Sequence, residues 1–264
     1  MAGKSANWTQ IPLRGFWGRL PGAFWRQARA LGRDISEALR ERTEKVEMAT
    51  FVLVPGGWQG GWMFDGVATQ LRSCGHHAEP LTLPGLGDTP APTANLTTHI
   101  DAAVQAIRSL GEDIVLVGHS YGGMVVTGAA DTEPSRLRAL VYSDAYVPDS
   151  GDSCWSLTTQ RFRDVFAANA SADGLTCVPP TGSDPRCRPH PIGTFLQAIE
   201  LTGRWREVPR KVFLGAHGWK GSPFLELFDR LRVDPQWSTH SFDCGHNIAR
   251  LKPEALVEVL LAQV

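Results

Sequence analysis

The sequence predicts an α/β fold: a mostly parallel sheet of about six strands flanked by helices, with an inserted cap and an N-terminal amphipathic helix. Three observations carry the prediction. From Met48 onward, short apolar runs alternate with stretches of helical periodicity. One apolar strand, Ile114-Val-Leu-Val, passes straight through Gly-His-Ser-Tyr-Gly into a helical pattern. A single long segment, about 148–205, breaks that rhythm with prolines and glycines.

Taken in order, residues 1–47 stand apart. Phe24, Ala28, Leu31, Ile35 and Leu39 recur at three- and four-residue steps among Arg and Glu, the pattern of one amphipathic helix over about 20–47. This extension holds nine Lys/Arg against five Asp/Glu, whereas residues 48–264 hold 17 against 22. Met48 is a natural start for the second unit, an α/β domain over 48–264. The apolar stripe of the extension suits packing on that domain, docking of a partner, or docking of a second copy in a homodimer. Trp17, Trp25 and the early arginines keep a membrane-surface helix or an organelle presequence among the readings.

Strands are expected at about 50–54, 78–82, 114–118, 138–143, 210–214 and 237–242. Helices are expected at about 62–72, 97–110, 121–130, 222–231 and 253–263. Strand–helix alternation of this kind gives a parallel sheet covered on both faces. An unstructured loop as long as 148–205 is unusual, so the segment reads as a cap over the C-terminal edge of the sheet, where open α/β sheets bind ligands.

Composition narrows the function. A formal net charge of -1 offers no electrostatic case for nucleic acid or an anionic membrane. No run reaches the ~18–20 apolar residues of a membrane span, so no stable membrane insertion is expected, and the N-terminus lacks a secretory signal pattern. The expected address is cytoplasmic. Five cysteines without a CxxC pair argue against a zinc site and a disulfide scaffold. Cys177 and Cys187, ten residues apart, are the one pair within reach of a bridge, although reduced thiols are expected. No metal and no cofactor are expected.

Gly118-His-Ser-Tyr-Gly122 between strand and helix is a nucleophile elbow centred on Ser120. A serine hydroxyl is a weak nucleophile and must stand clear of the backbone beside a base. Of eight histidines, His246 in Asp243-Cys-Gly-His-Asn247 follows the last strand, at the sheet edge that presents Ser120. His119 should point away from the serine and pack. His76 and His77 read as turn residues, His99 as a helix residue, and His190 and His217 as loop residues. The orienting acid falls to Asp144 at the end of the strand after the elbow, because the strand at 210–214 is followed by no carboxylate until Glu226. Val54-Pro-Gly-Gly-Trp-Gln-Gly-Gly-Trp62 has neither dinucleotide nor P-loop spacing. It suits an oxyanion hole built from the backbone N–H groups of Gly57 and Tyr121.

Phe51–Trp62, Leu83-Pro-Gly-Leu-Gly-Asp88, the elbow and Cys244-Gly-His246 together resemble the α/β-hydrolase superfamily. More closely they are similar to the branch of plant methyl esterases and hydroxynitrile lyases and its bacterial relatives, over about 49–264. The resemblance implies the α/β-hydrolase fold, Ser120 as nucleophile, His246 as base, and Gly57 and Tyr121 as oxyanion donors. Pro55 stands where relatives usually carry histidine. Gly56 stands where hydroxynitrile lyases carry threonine, which favours hydrolysis. The expected substrate is a small to medium ester, lactone or thioester with an apolar acyl part, walled by Trp58, Tyr121, Tyr146, Trp155 and Phe195. Two alternatives stand beside hydrolysis: a lyase or tailoring enzyme using the same Ser/His pair, and a catalytically silent ligand-binding protein.

Overall fold

Phe51, Val52, Leu53 and Val54 form an unbroken apolar run because both faces of their strand are covered. The computed structural model describes residues 48–264, so the helix expected at about 20–47 lies outside the described residues. Strand β1 (Thr50–Val54) leads through a 3-10 turn into helix α1 (Asp65–Ser73), followed by β2 (His77–Pro80) and α2 (Leu96–Leu110). Next come β3 (Ile114–His119), α3 (Gly122–Thr132) and β4 (Leu137–Ser143). The segment after β4 carries α4 (Cys154–Leu157), α5 (Gln160–Ala168), β5 (Thr176–Cys177), β6 (His190–Pro191) and α6 (Gly193–Leu196). The chain then returns as β7 (Arg210–Ala216), α7 (Leu225–Leu231), β8 (Trp237–Phe242), α8 (Ile248–Leu251) and α9 (Pro253–Leu261). The main strands and helices fall where the sequence marks them, with ends displaced by a few residues.

The main sheet has the order β2-β1-β3-β4-β7-β8, and every pair in it is parallel. Alternation along the strands divides the core in two. Val52, Leu116, Leu140 and Phe213 pack on one face with Val104, Ile107, Met124 and Val125 from α2 and α3. Phe51, Leu53, Val115, Val117, Val141 and Leu214 pack on the other with Val67, Leu71, Leu256 and Leu260 from α1 and α9. Helix α2 starts at a capping box, Asn95 accepting from the Thr98 N–H while Thr98 accepts from the Asn95 N–H. Such a cap contributes about 0.5–2 kcal/mol.

Strand order decides where a site can form. From β1 the chain steps outward to β2, then crosses back to place β3 on the other side of β1. The C-terminal ends of β1 and β3 therefore border a crevice at the point where the winding direction reverses. The loop after β1 carries Gly56, Gly57 and Trp58, and the turn after β3 carries Ser120.

Residues 148–205 belong to the segment that joins β4 to β7 and are tied down at several points. Asp131 on α3 accepts from the N–H groups of Thr202 and Trp205. The Ile199 N–H donates to Asp152 O, and the β5–β6 pair is antiparallel. Cys177 and Cys187 are both free thiols. Among the described residues no helix is long and apolar enough to cross a membrane.

Candidate active site

Ser120 sits at φ +54°, in the left-handed region that non-glycine residues seldom adopt. Its neighbours show why the elbow needs glycines. A Cβ on Gly118 would come within 2.8 Å of Gly122 O, and one on Gly122 within 2.6 Å of Val54 O. The turn can thus press α3 against β1 while pushing the serine outward. The Tyr146 N–H donates to Ser120 O at 3.2 Å and the Gly123 N–H to the same oxygen at 3.0 Å, fixing the bend.

Two other strand ends share this strain. Trp58 after β1 has φ +64° and Asp144 after β4 has φ +47°. Among the described residues only Asp113 joins these three as a non-glycine residue at positive φ. A residue held there costs of order 1–3 kcal/mol and persists where its surroundings fix it. For Asp144 they do: its N–H donates to Leu214 O at 2.7 Å, and Oδ1 accepts the Ala216 N–H at 3.1 Å. Oδ2 accepts from His246 Nδ1 at 2.7 Å, across 102 residues of sequence. The acid and the histidine picked out in the sequence are thus brought together, and His246 lines the same cavities as Ser120.

Electrostatics follows from burial. Removal from water drives the His246 imidazolium down to about 3, so the ring is neutral and, with Nδ1–H directed at Asp144, leaves Nε2 as a lone pair. Burial pushes the Asp144 carboxyl up to about 7, opposed by the Ala216 N–H. The His246 ring is held between aromatic neighbours, with Trp219 at 4.2 Å between centroids and Phe224 at 5.8 Å. His119 packs under the same ring at 4.6 Å and donates its Nε2–H to His246 O at 3.2 Å, a supporting role in keeping with the expectation that it packs.

Ser120 opens on an aromatic cavity of about 110 Å³. Gly57, Trp58, Tyr121, Tyr146 and Phe195 line it, and so do Phe162 and Phe166 from α5. Trp155 does not reach it. Its ring lies behind Phe166, at 6.5 Å between centroids, because α5 interposes its own aromatic face. Buried Cys154 also borders the cavity, and burial pushes its thiol up to about 12, which leaves it an inert wall.

Sequence reasoning passed over His190 and His99, both fully buried. His190 Nδ1 accepts the Trp58 N–H at 3.0 Å, and its Nε2–H donates to Thr194 Oγ1 at 2.7 Å, which in turn donates to Pro191 O. The Tyr121 hydroxyl donates to His99 Nδ1 at 3.0 Å, and His99 Nε2–H donates to Pro84 O at 2.9 Å. Burial holds both rings below the usual histidine range and therefore neutral. Trp58 is fastened twice more, its indole N–H donating to Cys177 O at 2.8 Å and its carbonyl accepting the Arg188 N–H at 2.9 Å. The loop after β1 is thus clamped by the segment between β4 and β7, which takes up the backbone N–H, the carbonyl and the indole N–H of Trp58. Among the described residues no group of three or more His, Cys, Asp and Glu is placed to hold a metal ion.

The profile of the alpha/beta hydrolase family matches residues 51–259. A carbendazim hydrolyzing esterase of a Nocardioides species is 34% identical over 240 residues, covering 81% of this chain and 99% of that protein. An alpha-hydroxynitrile lyase of Arabidopsis thaliana is 31% identical over 105 residues, covering 38% of this chain and 41% of its own length. In three dimensions, an extracellular alpha/beta-hydrolase of a Paenibacillus species superposes with a TM-score of 0.71 at 21% identity, covering 81% of this chain and 98% of the other.

Proposed function

The chain belongs to the alpha/beta hydrolase family, and from that premise we propose that it is a carboxylic ester hydrolase working through an acyl-enzyme on Ser120. One observation carries the reading most. Strained Ser120 shares its cavities with His246, whose other nitrogen is bonded to buried Asp144. In the proposed sequence His246 Nε2 takes the Ser120 proton as Oγ attacks the ester carbonyl. The backbone N–H groups of Gly57 and Tyr121 receive the developing oxyanion. His246 then gives the proton to the leaving alkoxide. Water adds to the acyl-enzyme, losing its proton to the same nitrogen, and the carboxylic acid departs as Ser120 Oγ recovers that proton.

The aromatic cavity supports an apolar acyl part of small to medium size, carried by an ester, a lactone or a thioester. The Nocardioides relative is named for carbendazim; what comes to this chain is ester cleavage as a class. Release of p-nitrophenol from short-chain esters tests the reading directly. Ser120→Ala is expected to lower kcat by on the order of 10⁴–10⁶, and a fluorophosphonate probe is expected to label the unaltered protein at Ser120 alone. Labelling that survives Ser120→Ala overturns the assignment. A protein that is labelled but cleaves no ester, thioester or lactone belongs with the non-hydrolytic relatives, of which the Arabidopsis lyase is one.

A further inference from the structure

The loop after β7 carries no carboxylate before Glu226; what it brings to the reacting groups is the indole of Trp219. That loop is fastened beside both Asp144 and His246. The Ala216 N–H donates to Asp144 Oδ1 at 3.1 Å, and the His217 N–H donates to Phe242 O at 2.8 Å, at the end of the strand that leads to His246. Gly218 presses on the backbone two residues before His246, where a Cβ would come within 2.8 Å of Cys244 O. The Trp219 N–H then closes the turn on Ala216 O at 3.3 Å. The indole also meets Phe162 of α5 edge to face at 5.7 Å between centroids, and Phe224 at 6.2 Å.

The indole and His246 planes are tilted by 34° and their centroids lie 4.2 Å apart, so the imidazole sits over the face of the indole and not at its edge. Every proton transfer in the proposed sequence turns His246 into an imidazolium, and burial makes that cation unfavourable. Asp144 Oδ2 meets it at one nitrogen only. A cation within ~6 Å of an aromatic centroid is attracted by the electron-rich ring face, most strongly by that of tryptophan, and more strongly out of water. The other rings on His246 are weaker partners: His119 at 4.6 Å is itself a buried imidazole, and Phe224 lies at 5.8 Å.

Resting on the ester-cleaving reading of Ser120, we propose that Trp219 is a positioning residue that acts through His246: its indole face holds the ring towards Asp144 and stabilises the imidazolium formed at each proton transfer. Trp219 also lines the aromatic cavity. A plain acyl wall is therefore the role that the test separates from this one.

In the full chain Trp219 is replaced, by stop-codon suppression, with tryptophans carrying one, two and three ring fluorines. Fluorine draws electrons from the ring face and leaves the shape of the indole nearly unchanged. The readouts are kcat and KM for p-nitrophenyl acetate and p-nitrophenyl butyrate, and the rate of fluorophosphonate labelling at Ser120. Both kcat values and the labelling rate are expected to fall with each fluorine, about tenfold in all, as for the loss of a partly desolvated cation–π contact. The slope should be the same for the two acyl groups, with KM little changed. Trp219→Leu, an apolar wall without a ring, is expected to lose about thirtyfold in kcat, and Trp219→Phe less. Should the leucine variant fail to fold, the fluorinated series, which keeps the indole, decides alone. A series flat in kcat and in labelling overturns the proposal, as does a loss confined to KM or to one acyl group. Absence of both cleavage and labelling in the unaltered protein overturns the reading of Ser120 and this proposal with it, an outcome distinct from a flat series in an active enzyme.

Discussion

The two halves of the site are built differently. The reacting groups stand on strand ends: Ser120 after β3, Asp144 after β4 and His246 just beyond β8, on a sheet whose strands are buried on both faces at its centre. The cavity walls come in good part from the irregular segment between β4 and β7, through Phe162, Phe166 and Phe195, and His190 of the same segment holds the Trp58 N–H. A strand end can be placed to a fraction of an ångström by ladder bonds on either side, as the Asp144 N–H to Leu214 O bond shows. A loop is placed only by what it lands on. Chemistry is therefore assigned to the rigid edge, and substrate choice to the segment that can vary without disturbing it.

The largest effect that would sharpen this contrast belongs to Asp144. Asp144→Asn is expected to lower kcat by about 10³–10⁴, since an amide can hold the wrong His246 tautomer. The pH profile carries the same information. Above about 7 the Asp144 carboxylate accepts the Nδ1–H and keeps Nε2 free; as pH falls through that value the carboxyl takes up a proton and the lock is released. The limb belongs to the Asp144–His246 pair. kcat/KM is therefore expected to decline on the acid side of about 7, far above the value near 3 to which burial drives His246. In Asp144→Asn that limb should vanish, leaving a low, flatter profile. An unchanged limb would place the controlling acid elsewhere.

What could be read from the sequence follows the same division. Ser120, His246 and Asp144 were legible because a strand end is a position along the chain: a strand, a turn and the next helix fix where a side chain emerges. Asp144 could be chosen by elimination, since β7 ends without a carboxylate. His190 reads as a loop residue because nothing local marks it. Its role appears only when β5 and β6 fold back on Trp58, a contact spanning 132 residues. The sequence places Trp155 on the cavity wall, whereas in the structure Phe162 and Phe166 line it. Their four-residue spacing on α5 was a usable signal, because one helix face meets the cavity. Size and aromaticity alone could not tell the ring in front from the ring behind.

A smaller effect probes the clamp between the two halves. His190→Phe keeps a ring to stack on Phe195, where the two now lie parallel at 4.2 Å, but removes the acceptor of the Trp58 N–H. An unpaired buried donor costs about 1–3 kcal/mol, so kcat is expected to fall on the order of 10–100-fold while KM changes little. Fluorophosphonate labelling should slow in parallel, because the adjoining Gly57 N–H is displaced with the loop. If only thermal stability drops and kcat holds, the clamp supports the fold and not the oxyanion site.

Smaller still is the effect of trimming the cap wall. Phe166 touches both Phe195, stacked at 4.5 Å, and Trp58, at 5.8 Å, but no reacting group. Phe166→Ala is expected to shift the preference between phenylacetyl and acetyl esters by about tenfold, within the range of 10–200-fold that one methylene in a pocket commands. Labelling of Ser120 should be unchanged. A loss shared equally by both esters would show that the cap also sets the reactivity of the strand ends.

The smallest effect is expected from removing residues 1–47. Strand β1 begins at Thr50, and the bonds that set its register use Ala49, whose carbonyl accepts the His77 N–H at 3.0 Å and whose N–H donates to His76 Nδ1 at 3.3 Å. Every residue assigned here to chemistry or binding lies between Gly56 and Arg250. Among the described residues, both faces of the sheet are packed by residues from Ala49 onward. A chain starting at Met48 is therefore expected to fold and to keep kcat/KM within about twofold, as for changes away from a core or a site. Light scattering on the two forms decides what the apolar stripe of the extension does. A lower mass after truncation, beyond that of the missing residues, assigns it to contact with a second copy, and a drop in Tm at unchanged assembly assigns it to packing on the domain. An insoluble or inactive Met48 form would move the domain boundary upstream and make the extension part of the fold that holds Ser120.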